Sequence, residues 1–118
     1  MSSHNELKLR TKKFALAVIN LTHSLPPGKT GDVIGKQLLR SATSVGANYR
    51  SACRARSNAD FISKITIVEE EADESMYWLE LLGEAGIFDE VKIAGLRKEA
   101  DELTAIFTAA GRTAKKRQ

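Results

Sequence analysis

The chain has 118 residues, 42% of them hydrophobic and 28% charged, with a formal net charge of +3. That length suffices for one domain with a core of its own, needing neither disulfides nor a structural metal. One cysteine, Cys53, excludes an intramolecular disulfide and points to a reducing cytosol, and no stretch approaches the roughly 18 apolar residues of a membrane helix.

The charge is strongly segregated. Residues 1–56 carry ten Lys/Arg and two acids, a net of +8; residues 57–90 carry one Lys and ten acids, a net of −9; residues 91–118 carry seven Lys/Arg and three acids, a net of +4. Blocks of this kind suit pairing between neighbouring helices or two surfaces of opposite sign.

Met1 to Asn5 reads as a frayed end. A first helix is predicted over residues 6–24, with Leu7, Phe14, Val18, Leu21 and Leu25 on one face. The apolar run from Phe14 to Leu21 follows basic residues, but it is short and lacks a small-residue cleavage site, so it reads as the core side of this helix and not as a signal peptide. Pro26-Pro27-Gly28 stops it, because proline lacks the N–H and clashes with the preceding turn.

The second helix is predicted over 31–54, with Thr30 as its N-cap and a seam of Leu38, Ala42, Val45, Tyr49 and Ala52. Gly35 and Gly46 inside it each cost about 1 kcal/mol relative to Ala, which makes sense where another segment approaches closely. Arg54-Ala55-Arg56 leads into a turn. Ser57 and Asp60 have the spacing of a capping box, and the third helix is predicted over 58–83. Its seam, Phe61, Ile65, Val68, Ala72, Ser75, Leu79 and Leu82, steps by four and three like a bundle helix. Ile62 and Met76 begin a second strip. Gly83 and Gly86 end it. Asp89 caps a fourth helix over 90–110, with Ile93, Leu96, Ala100, Leu103, Phe107 and Ala110 as its seam and Gly111 as its stop; residues 112–118 read as a disordered basic tail. Four helices with short links predict an all-α, antiparallel up-down-up-down four-helix bundle spanning 1–118 as a single domain.

No catalytic constellation stands out. The acidic run Glu69-Glu70-Glu71-Ala72-Asp73-Glu74 puts Glu70, Glu71 and Glu74 within reach of one another, which could hold Mg²⁺ or Mn²⁺. Glu70-Glu71-Ala72-Asp73-Glu74 fits half of the motif of MazG-like nucleotide pyrophosphohydrolases, with Glu99-x-x-Glu102 an imperfect second half. A di-iron site fails because His4 and His23 do not supply Glu-x-x-His motifs. Ser41, Ser44 and Ser75 lack a base, and Cys53, though flanked by arginines, reads as a small helix residue. The expectation is therefore no enzyme, no cofactor and no metal. Counting back from the turn places Arg40 opposite Glu71 to Glu74, where a buried pair would lock the register of the two helices; removing one partner of such a pair costs about 3–5 kcal/mol. Asn48, near the seam, is read as fixing register or satisfying backbone.

The candidate binding residues are basic. Lys8, Arg10, Lys12 and Lys13 on the first helix fall near the same end of an antiparallel pair as Arg50, Arg54 and Arg56 on the second. Such a cluster gives sequence-independent, salt-sensitive contacts to phosphates. No nucleic-acid-reading motif accompanies it.

Arg40-x-Ala42-x-Ser44, then Asn48, the basic turn, Asp60-Phe61 and the long seam with Glu74 and Leu79 resemble the four helix bundle protein family, also called the 23S rRNA-intervening sequence proteins. Arg50-Ser51-Ala52 stands where the family often has Glu-Gly, and Glu71 where it often has a Ser. The resemblance covers about residues 7–110. It implies an antiparallel bundle, a ring-shaped homopentamer, a cytoplasmic bacterial setting, and a kinship with retroelement accessory proteins that bind RNA and a reverse transcriptase through a basic surface. The expected function is a non-enzymatic oligomeric RNA- or nucleoprotein-binding module; the alternatives are a purely structural oligomer and the MazG-like hydrolase.

Overall fold

The computed structural model describes residues 3–117. Four helices follow one another: α1 Ser3–Thr22, α2 Lys29–Ala52, α3 Asn58–Glu84 and α4 Glu90–Lys115. Chain neighbours pack side by side and α1 closes the ring on α4, while the diagonal pairs α1/α3 and α2/α4 stay apart. With links this short, neighbours run antiparallel, and the all-α four-helix bundle results.

The core is the union of the four seams. Val18, Leu38, Ala42, Val45, Val68, Ala72, Leu79, Leu82, Ile93, Ala100, Leu103 and Phe107 are fully enclosed. Leu7, Leu25, Phe61, Leu96 and Ala110, expected in the core, are only partly buried against it. Three Ser/Thr residues join the interior: Thr11 fills the gap between Leu7 and Phe14, and Ser41 on α2 meets Ser75 on α3, their Oγ atoms 2.9 Å apart. Ser75 Oγ has two acceptors in reach, the Glu71 carbonyl at 2.8 Å and Ser41 Oγ at 2.9 Å, and Ser41 donates to the Leu38 carbonyl at 3.2 Å, so each buried hydroxyl proton has an acceptor.

The helix ends show where local chemistry prevails over simple stop signals. Thr30 is not the cap of α2; Gly28, with φ 153°, holds that position and no side chain caps the helix. Ser57 caps α3, its Oγ accepting from the Asp60 N–H at 3.0 Å, but the Asp60 carboxylate reaches back to the Arg56 N–H and not to that of Ser57. Gly86, at φ 76°, closes α3: its N–H bonds Gly83 O and the Ile87 N–H bonds Leu82 O, the Schellman pattern that only a residue free of a Cβ forms cheaply. Gly83 lies inside the helix. Asp89 caps α4 by position, without a side-chain bond.

The largest correction concerns the C-terminus. Gly111 does not end α4, and Arg112 to Lys115 are helical. Gly111 is buried against α3, where an added Cβ would lie 3.5 Å from Ile65 Cγ2, and Ala114 is buried beyond it. Asn58 Nδ2, in the first turn of α3, donates to the Ala114 carbonyl at 2.8 Å. Tertiary packing therefore carries the helix past its glycine. At the N-terminus, Ser3 to Asn5 are helical and not frayed; Met1, Ser2 and Gln118 of the predicted loose ends lie outside the described residues.

Candidate nucleic-acid interface

Gly46 lets α1 and α2 approach closely: a Cβ there would lie 3.2 Å from Thr11 Oγ1 and 3.6 Å from the Thr11 carbonyl carbon. Thr11 tolerates burial because its hydroxyl donates to Leu7 O at 2.8 Å within its own helix. On the outer side of this crossing the two helices leave a groove of about 510 Å³. Thr11, Ala15, Thr43, Gly46 and Ala47 line it, with the half-exposed Leu9, and its cations are Lys8, Lys12 and Arg50. Lys8 and Lys12 are one turn apart on α1; Thr43, Ala47 and Arg50 follow four and three residues apart on α2, so each set shares a face.

A second depression of about 570 Å³ continues from the first, sharing Ala47 and Arg50. Ser51, Arg54, Arg56 and Lys64 complete it. No carboxylate lines either depression.

The predicted basic cluster is thus partly assembled. Lys8, Lys12, Arg50, Arg54 and Arg56 converge. Lys13 is exposed on α1 but lines neither depression. Arg10 points elsewhere: its Nε and Nη2 bond Glu99 at 2.7 and 2.8 Å, and Nη2 also bonds Glu102 at 2.8 Å, tying α1 to α4. These bonds, the one to Glu99 foremost, hold the guanidinium in its charged form and raise its pKa further above the ordinary arginine value. Lys64, absent from the predicted cluster, joins it from α3. The usable signal was its standing as the only cation among residues 57–90, four residues after Asp60. The Lys64 ammonium bonds the Asp60 carboxylate at 2.8 Å and, with the Arg56 N–H, holds that carboxyl below its usual range.

The cations of this surface are, apart from Lys64, free of carboxylate partners and gathered around one pair of depressions. Among the described residues Arg10, Arg40, Lys64 and Arg97 have carboxylate partners, whereas Lys8, Lys12, Arg50, Arg54 and Arg56 have none.

The other signature residues serve the α2/α3 seam. Arg40 meets Glu71 at 3.2 Å and also Glu74, whose Oε2 takes the Trp78 indole N–H at 3.1 Å. The hydrogen bond to Glu71 is the main cause of a raised Arg40 pKa. Arg40 is half exposed, so this is a surface clamp and not the buried pair expected; its cost of removal falls to about 0–1 kcal/mol. Ser44 Oγ donates to Arg40 O at 2.7 Å and Asn48 Nδ2 to Ser44 O at 2.8 Å, one row of side chains returning to their own helix. Phe61 is partly buried at the base of α3, beside Asn58 and Ala114.

The acids proposed for a metal are similarly engaged. Glu71 and Glu74 hold Arg40, Glu99 and Glu102 hold Arg10, Glu69 accepts from Thr108 at 2.7 Å, and Glu70 is exposed. Among the described residues no group of three or more His, Cys, Asp or Glu side chains is placed to hold a metal. Both halves of the imperfect pyrophosphohydrolase motif thus face guanidinium groups. Ser41 and Ser75 bond each other in the core and Ser44 bonds backbone. Tyr49, near Cys53, packs its ring 5.2 Å from that of Phe107, and burial above all pushes its phenol pKa up. Among the described residues no helix is long and apolar enough to cross a membrane.

A family model described as 23S rRNA-intervening sequence protein matches residues 4–109. A crystal structure described as a protein with unknown function from the S23 ribosomal protein family, from Bacteroides thetaiotaomicron VPI-5482, superposes with a TM-score of 0.85. It is 34% identical, and the match covers 94% of this chain and 99% of that one. No curated protein matches.

Proposed function

The chain belongs to the 23S rRNA-intervening sequence protein family, and from that premise we propose that it is a non-enzymatic, self-associating cytoplasmic module that binds RNA or a nucleoprotein. The observation that carries the RNA part is the row of unspent cations, Lys8, Lys12, Arg50, Arg54 and Arg56, around two adjoining depressions without a carboxylate. Arg10, Arg40 and Arg97, in contrast, are held by glutamates on neighbouring turns or helices and are not part of this row. Clustered cations of this kind attract phosphates and release their counterions.

Self-association draws its support from the resemblance, which implies a homopentamer, and from the outward face of α3. There Ile67 and Tyr77 stand exposed among Glu70 and Asp73, an acidic and apolar strip open to a second copy and separate from the basic surface.

Filter retention of RNA against salt tests the first part. Affinity falls steeply with salt, and Lys12→Glu combined with Arg54→Glu and Arg56→Glu abolishes retention. Retention by that triple variant equal to the parent's removes the assignment. Light scattering at micromolar concentration tests the second part, and a monomeric mass sinks it.

A further inference from the structure

The two depressions differ in a way that specifies the nucleic acid. The one at the α2/α3 turn is polar and cationic, with Ser51, Arg54, Arg56 and Lys64. The α1/α2 groove combines Lys8, Lys12 and Arg50 with a mainly apolar lining. Its other lining residues are Leu9, Thr11, Ala15, Thr43, Gly46 and Ala47, and its volume is about 510 Å³. Phosphates alone do not fill a slot of this kind. Its apolar surface calls for a flat, weakly polar group carried between negative charges.

We propose that the α1/α2 groove seats an unpaired nucleobase of single-stranded RNA, with the flanking phosphates on Lys8 and Lys12 at one side and on Arg50, Arg54 and Arg56 at the other. This rests on the RNA-binding reading above and narrows it to a class of RNA. In an A-form duplex the bases are stacked inside and only phosphates and sugar edges reach a protein, whereas unpaired bases splay out and enter pockets. No aromatic side chain lines the groove, so the base stacks on the aliphatic wall and on the plane of Arg50. That guanidinium has no carboxylate partner among the described residues and borders both depressions. Charge complementarity between the groove's cations and the strand's phosphates selects this occupant over a neutral peptide. An acidic amphipathic helix from a protein partner is the nearest competitor, and the displacement experiment below separates the two.

The test uses fluorescence anisotropy with three labelled probes at one salt concentration: a short oligouridine, its duplex with oligoadenine, and a strand of equal length with abasic sugars. The unpaired strand binds at least about fivefold more tightly than the abasic strand, the loss expected when a base loses its stacking surface, and more tightly than the duplex. Ala47→Leu, an exposed helical position in the groove wall, lowers oligouridine binding to the abasic level and leaves abasic binding unchanged. Arg54→Glu weakens all three probes together. Equal binding of strand and abasic strand, preference for the duplex, or an Ala47→Leu variant that binds oligouridine like the parent overturns the base-seating proposal while the phosphate contacts stand. Absence of binding to every probe overturns the RNA reading itself. Displacement of oligouridine by an acidic amphipathic peptide that itself loses affinity in Ala47→Leu assigns the groove to a protein partner and also overturns the proposal.

Discussion

The α2/α3 and α1/α4 seams carry the same device: an arginine on one helix grips two glutamates three residues apart on the next. Arg40 takes Glu71 and Glu74; Arg10 takes Glu99 and Glu102. What lies behind each clamp differs. α2 and α3 lie against each other along their length, with the Ser41–Ser75 hydroxyl pair sealed between them. α1 touches α4 far less. On the first seam side-chain packing supplies the cohesion and the clamp adds register. On the second, where the helices stand further apart, the clamp bridges α1 to α4 directly. An ion pair therefore cannot be valued from its geometry alone; the apolar area beside it decides whether its loss is noticed.

Breaking the packed seam gives the largest effect. Ser75→Leu forces extra methylene groups between α2 and α3 and breaks the hydroxyl pair, destabilising the fold by about 1–3 kcal/mol in urea unfolding. A change below about 0.3 kcal/mol would show that this seam is looser than its burial indicates.

A sharper contrast comes from removing each arginine in turn. Arg10→Ala and Arg40→Ala each cost at most about 1 kcal/mol globally, because both guanidinium groups are partly exposed. They differ locally. Arg10→Ala speeds amide exchange in α1 while α2 and α3 keep their protection, and Arg40→Ala leaves every helix protected. Equal profiles for the two variants would remove the distinction between the seams.

The smallest effect is a pH dependence at the end where α1 and α2 approach α4. Burial raises the Tyr49 phenol above its ordinary value near 10. The unfolded chain loses this proton first, so the stability it supports is whole below about pH 10 and declines as pH rises above it. Tyr49→Phe removes that decline. Urea midpoints at about pH 8 and about pH 11 fall further apart for the parent than for the variant; identical intervals would show that the ring is solvated.

The seams were legible because each repeats apolar residues at steps of three and four over several turns. Arg40 could be placed opposite Glu71 and Glu74 because both are reached by counting from one turn. Arg10 could not. Its partners lie on the far end of the chain, and nothing local distinguishes it from Lys8 or Lys12. Thr11 sits four residues after Leu7, at a seam position, but its hydroxyl disguised it; only an internal bond to Leu7 O makes its burial cheap. Gly111 reads as a stop by propensity, and contact with Ile65 overrides that preference.

Trp78, the only tryptophan in the chain, donates its indole N–H to the same Glu74 oxygen that Arg40 grips. The bundle therefore carries its own optical reporter at the α2/α3 clamp. When the clamp opens, Glu74 stays within reach of the indole because both belong to α3, but the guanidinium beside that carboxylate leaves and water takes its place, so the indole's emission changes. Arg40→Ala thus has a spectral signature in the folded protein, readable without any label, even where its effect on unfolding is too small to resolve.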